Sequence, residues 1–155
     1  MSTKISDKPS QRAIKVRLTR LADYLNKIEF LKWDPNKKEE FYEAQVYQYL
    51  SNTGKFVKQQ TKQDIRVDVF GLKHKPDAIY HECIALEIKK VGSTASIQQA
   101  LGQALCYLAH YSGVVLLLLD FTGKIKSSLN RKGTIEMLKD LDKMNIRVVV
   151  KDQNR

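Results

Sequence analysis

The stretch Ile84-Ala85-Leu86-Glu87-Ile88-Lys89-Lys90 decides how the rest of the chain is read. It is rich in β-branched and apolar residues and is closed by Gly92-Ser93, which predicts a strand. Side chains alternate between the faces of a strand, so Ile84, Leu86 and Ile88 share one face and are candidates for the core. Glu87 and Lys89 then share the other. A carboxylate and an ammonium two residues apart are a weak signal alone, because a solvated surface strand carries the same alternation. The neighbouring sequence gives them weight.

Upstream, Ile65, Val67 and Val69 alternate with Arg66, Asp68 and Phe70, which predicts another strand. If that strand pairs antiparallel with the first, Asp68 faces Glu87. Two converging carboxylates make an oxygen-rich site for Mg²⁺ or Mn²⁺. Lys89 beside them would orient or deprotonate a water, or steady a charged transition state. Asp77, in Pro76-Asp77, is the rival carboxylate. Asp68 is preferred because it lies inside a strand pattern, whereas residues 73–77 read as a loop.

The elements farther out define the fold class. Ile14, Leu18, Leu21, Leu25 and Ile28 recur at helical spacing and predict a helix over 13–31, with Trp33 packed beneath it. Asp34-Pro35-Asn36 breaks that helix, and Asp34 or Asn36 is placed to cap the next, over 37–50. Residues 56–60 read as extended. A third helix over 96–111, capped by Ser93 or Thr94, follows the Glu87 strand. Residues 114–119 are apolar enough for a central strand covered on both faces. A helix over 133–144 and a strand over 146–150 close the chain. The order predicts an α/β fold, a mixed β-sheet flanked by helices with an extra N-terminal helix. The expected layout is a single domain over 1–155: a flexible tail over 1–11, the N-terminal helix over 12–33, a catalytic core over 37–120, and a helix and final strand over 121–155.

The chain carries 27 Lys+Arg against 17 Asp+Glu, a formal charge of +10, which favours a polyanionic partner such as nucleic acid. Two basic clusters are candidates for phosphate contact: Arg12, Lys15, Arg17 and Arg20 on the first helix, and Lys124, Lys126, Arg131 and Lys132 in a loop-like stretch. No apolar run approaches the roughly 20 residues that span a bilayer, so no membrane partner is expected. The polar start lacks the apolar stretch of a signal peptide, which predicts an intracellular, cytoplasmic location. Cys83 and Cys106 are read as reduced core residues, and His74, His81 and His110 share no ligand spacing. No Gly-rich phosphate loop is present.

The span from Glu43 to Asp120 resembles the PD-(D/E)xK nucleases, the superfamily of restriction endonucleases, archaeal Holliday junction resolvases and RecB-like exonucleases. Phe41-Tyr42-Glu43 with Leu50 and Gly54 is similar to that family's first core helix, Arg66-Val67-Asp68-Val69-Phe70 to its second strand, and Ala85-Leu86-Glu87-Ile88-Lys89 to its third. The resemblance implies a restriction-endonuclease-like fold and Mg²⁺- or Mn²⁺-dependent hydrolysis of phosphodiester bonds in DNA, with RNA not excluded and a homodimer allowed. It implies Asp68, Glu87 and Glu43 as metal ligands and Lys89 as the lysine that assists the attacking water. Gln103 and Tyr107 lie four apart on one helix face, similar to the Gln-x-x-x-Tyr helix of the RecB-like branch. That implies a catalytic role for Gln103 and a supporting or DNA-contact role for Tyr107, with Gln99 as the rival glutamine. The alternative is a catalytically silent nucleic-acid-binding protein that keeps the fold; the intact acidic and lysine pattern argues against it.

Overall fold

The computed structural model describes residues 9–54, 56–58 and 67–153. In chain order the elements are α1 (Gln11–Asn26), α2 (Glu39–Ser51), β1 (Phe56–Lys58), β2 (Val67–Val69), β3 (Leu72–His74), β4 (Ala78–Tyr80), β5 (Ile84–Val91), α3 (Thr94–Tyr107), β6 (Gly113–Asp120), α4 (Lys124–Ser128), α5 (Lys132–Lys143) and β7 (Ile146–Lys151). Five strands form one mixed sheet in the order β1-β4-β5-β6-β7, and β2 and β3 pair separately as a hairpin. β1, β4 and β5 are antiparallel neighbours, while β5, β6 and β7 run parallel and are joined by helical crossovers. The expected α/β architecture, a mixed sheet flanked by helices with an N-terminal helix, is what the chain forms.

Alternation along the strands divides the core in two. Ile84, Leu86 and Ile88 join Val115, Leu117 and Leu119 under α1 and α2. Ala85 and Val91 join Val114, Leu116 and Leu118 under α3 and Leu141 of α5. β6 is buried along its whole length, because it lies between two parallel neighbours and both faces are covered. Ser93 caps α3 with a reciprocal capping box to Ser96.

Several expectations need correction. α1 stops at Asn26 rather than residue 31, although Ile28 stays buried and prolongs the apolar spacing that suggests a longer helix. Neither Asp34 nor Asn36 caps α2: Asp34 Oδ1 accepts from the Asn36 amide at 2.8 Å, and Lys38 occupies the cap position with no side-chain bond. The stretch read as a loop over 73–77 contains part of β3, and the three-residue strand β4 follows it directly. Lys124 and Lys126 lie on the short helix α4, and Lys132 opens α5, rather than in a loop. Residues 1–8 of the expected tail, and residues 59–60 and 65–66 of the expected strands, lie outside the described residues.

Candidate active site

The site forms where β4 and β5 part. Their ladder runs from Tyr80↔Ile84 to Ala78↔Leu86, and the Asp77 amide makes one last bond to the Leu86 carbonyl at 2.9 Å. Beyond that point side chains replace the missing strand. The Ile88 amide donates to Asp77 Oδ2 at 2.7 Å, and the Lys90 amide donates to Glu39 Oε2 at 2.9 Å. A backbone N–H left unpaired beside a core strand is costly, so these bonds hold both carboxylates against the open edge of β5. Lys90 itself leaves the opposite strand face from Lys89. Its ammonium is bonded to the Pro35 and Lys37 carbonyls, which fixes the segment entering α2.

Glu87 lies on the α3 face of β5 and is 4% exposed. The Tyr107 hydroxyl sits 2.8 Å from Glu87 Oε2 and 2.8 Å from the Lys75 carbonyl. A hydroxyl has one proton, so both contacts are hydrogen bonds at once only when Glu87 itself carries a proton. Lys89 Nζ stands 3.8 Å from Glu87 Oε1, with its side chain 13% exposed. The pair is therefore largely removed from water, where its mutual attraction is strong and its desolvation costly.

α2 closes the cleft from the edge. Glu43 and Tyr47 lie one turn apart on that helix. The Tyr47 hydroxyl donates to the Asp77 carbonyl at 3.1 Å. Burial, then repulsion by Asp77, Glu39 and Glu40, raises the Glu43 carboxyl to about 8. Burial and the Glu87 charge raise Asp77 to about 8 against the pull of the Ile88 amide. Burial raises Glu87 to about 7, while the Tyr107 hydroxyl and Lys89 act to lower it. Tyr47 and Tyr107 are pushed upward by burial and by these acids. The acids thus destabilise one another at neutral pH, and Lys89 is the cation that acts on all three.

Asp68 is not part of this cluster. β2 pairs with β3 in its own hairpin instead of with β5, which places Asp68 opposite Lys73. The two form an exposed ion pair at 2.5 Å, and Lys73 lowers the Asp68 carboxyl below its ordinary range. The carboxylate beside Glu87 is Asp77. Tyr107 is fully buried with its hydroxyl against Glu87 Oε2, which fits the supporting role of the two expected for it rather than a nucleic-acid contact. Gln103 is half-buried on the same helix, and its Oε1 is buried with no hydrogen-bond partner, while Gln99 is exposed.

The first basic cluster lies at the far end of the sheet. Arg17 donates to Cys83 Sγ at 3.1 Å before the start of β5, and Lys15 is tied to Asp142. Arg12 and Arg20 are exposed on α1. Lys124, Lys126, Arg131 and Lys132 follow the C-terminal end of β6, where Asp120 pairs with Val91 of β5. They therefore share the sheet end toward which Lys89 leads. Lys126 is partly committed, with Nζ 3.3 Å from the Val150 carbonyl. The sequence reading missed Glu39 and Tyr47. A clue to each was present: Glu39 opens α2, and Tyr47 lies four residues after Glu43.

Mutually repelling carboxylates and one lysine, gathered where two strands of an α/β sheet separate, mark a site for a charged ligand. Residues 30–132, more than half of the chain, match the family model of the PD-(D/E)XK nuclease superfamily, and the chain belongs to that superfamily. No curated protein and no solved structure matches it. Membership implies nuclease activity and a nucleic-acid substrate. No helix among the described residues is long and apolar enough to cross a membrane.

Nucleases of this superfamily generally use divalent metals. Among the described residues no group of three or more His, Cys, Asp or Glu side chains is spaced to hold a metal ion. Mg²⁺ does not require three, because it is commonly held by one or two carboxylates together with water and substrate phosphate. Asp77 and Glu87 supply that minimum with hard oxygen donors, and a bound cation would relieve the repulsion that raises both. The residues present fit such an ion.

Proposed function

We propose that this chain is a divalent-metal-dependent deoxyribonuclease whose working groups are Asp77, Glu87, Glu43 and Lys89. The observation that carries the reading is the bond from the Ile88 amide to Asp77 Oδ2, which brings a second carboxylate beside Glu87 at the open edge of β5. Asp77 and Glu87 would hold Mg²⁺ or Mn²⁺, which when bound supplies a Lewis acid for the scissile phosphate and lowers the pKa of a water. Lys89 balances negative charge that grows on the phosphate oxygens and orients the attacking water. Glu43 accepts a hydrogen bond or a proton from that water, a role suited to a carboxyl raised toward neutrality. The water oxygen bonds to phosphorus, the bond to the leaving nucleoside oxygen breaks, and that oxygen takes a proton from solvent. Tyr107 positions Glu87, and Tyr47 positions Asp77. Lys124, Arg131 and Lys132 are the better placed of the basic residues to follow a phosphate backbone.

The test is cleavage of single-stranded, duplex and branched DNA, and of RNA, in Mg²⁺, Mn²⁺ or EDTA. The reading expects cleavage of DNA with either metal, none in EDTA, and a strong loss in Lys89→Met. Robust cleavage in EDTA would overturn the metal mechanism.

A further inference from the structure

The β2–β3 hairpin, whose chain runs on through residues 75–77 into the cleft, holds an aromatic ring in solvent at its tip. Val69 pairs with Leu72, so the turn is Phe70-Gly71, with φ of 53° and 74°. Positive φ at both turn residues is the type I′ geometry, which favours Asn, Asp or Gly. A bulky residue rarely adopts it. Phe70 nevertheless occupies the first position and is fully exposed, and Leu72 beside it is 67% exposed. The ring therefore repays its backbone conformation with no packing. Unfavourable local geometry that the fold does not use is a reason to look for function.

The rest of the hairpin is fixed. Val67 is buried in the α3-side core, Val69 packs against it, and Asp68 pairs with Lys73 across the strands. The chain then runs from β3 through Lys75, whose carbonyl accepts from the Tyr107 hydroxyl that also contacts Glu87, to Pro76 and Asp77. The ring is thus mounted on an arm whose base is bonded to the carboxylate cluster. Lys73, His74 and Lys75 add cationic or titratable character along the same arm.

We propose that Phe70 stacks on an unpaired base of the nucleic acid whose phosphate occupies the cleft, so that the preferred substrate presents single-stranded or flared nucleotides. This rests on the nuclease reading. The occupant follows from the chemistry: an exposed ring at the tip of an arm that leads into a nucleic-acid site can meet the face of a base, and every base has one. An uninterrupted duplex offers no free face, because its bases are already stacked.

The experiment compares wild type, Phe70→Asn and Phe70→Trp for binding of a fluorescent duplex and of a forked oligonucleotide of equal length, in EDTA at fixed salt. Phe70→Asn suits the turn better than phenylalanine, so it removes the ring without weakening the hairpin. Wild type is expected to prefer the fork, and Phe70→Asn to lose about 5- to 150-fold of fork affinity, the range of one base–aromatic stack. Its duplex affinity and melting temperature should not fall, and Phe70→Trp should keep the preference. A 2-aminopurine at the fork should be quenched by wild type and not by Phe70→Asn. Binding of both oligonucleotides by wild type with no effect of Phe70→Asn overturns the stacking role alone. Failure of wild type to bind either one overturns the nuclease reading together with it.

Discussion

Replacing Asp77 with Asn should stabilise the protein at alkaline pH while disabling its site. Asn keeps an oxygen that can accept from the Ile88 amide, so the bond that ends the β4–β5 ladder survives. What disappears is a carboxyl raised from 3.8 to about 8 by burial and by Glu87. The folded chain holds that proton to higher pH than the unfolded chain, so wild-type stability is full at low pH and declines between the ordinary carboxylate range and about 8. Each retained proton changes the stability by about 1.4 kcal/mol per pH unit. Partial solvation and sharing of protons among the acids reduce this, leaving roughly 1–2 kcal/mol between pH 5.5 and 7.5. In a chain of this size about 1 kcal/mol moves the melting temperature by about 2–4 °C. Thermal melts in EDTA should therefore show wild type losing roughly 2–8 °C more than Asp77→Asn over that window. Asp68→Asn should follow the wild-type curve, because Asp68 is exposed and its carboxyl is lowered by Lys73. Parallel curves for wild type and Asp77→Asn would refute the account of the acidic cluster.

Tyr107→Phe removes the hydroxyl that positions Glu87, so half-maximal cleavage should require about 10-fold more Mg²⁺, with only a modest loss at saturating metal; an unmoved Mg²⁺ requirement would separate Tyr107 from Glu87. Gln103→Ala removes a buried oxygen that has no partner among the described residues, so its melting temperature should hold or rise while the single-turnover rate falls about tenfold or more. Binding of duplex DNA should weaken with salt at a log–log slope of about −0.9 per phosphate contact, and Lys124→Ala with Arg131→Ala should flatten it by about one to two contacts. Arg12→Ala should leave that slope unchanged, since its cluster lies at the far end of the sheet.

The parts of the fold visible in the sequence are those whose residues satisfy one pattern over many positions. β5 and β6 each run eight residues and α3 fourteen, long enough for alternation or helical spacing to stand out. Glu87 and Lys89 come with β5, because a strand's period fixes their shared face. The Asp77 geometry was hidden by brevity: β4 has three residues and follows a proline, so it reads as loop. Asp68 was favoured for a sound local reason, since Val67 and Val69 do form a strand with it. The alternation could not reveal that the Phe70-Gly71 turn closes that strand onto β3. Pairing partners are set by turns and distant packing, and those leave little trace in a three-residue strand. Glu39 was obscured in a similar way: an acid in the first turn of a helix is ordinary, and its bond to the Lys90 amide exists only once β5 lacks a neighbour there.

The most direct measurement is the Mg²⁺-dependent cleavage rate of Asp77→Asn and Asp68→Asn beside wild type, under single-turnover conditions and with melting temperatures taken on the same samples. The account predicts that Asp77→Asn, although folded, loses about 100-fold or more, as expected when one of the two carboxylates that would hold the metal ion is removed. It predicts that Asp68→Asn stays within a few-fold of wild type, because its carboxylate is committed to Lys73 on a separate hairpin. An inactive, folded Asp68→Asn beside an active Asp77→Asn would contradict it.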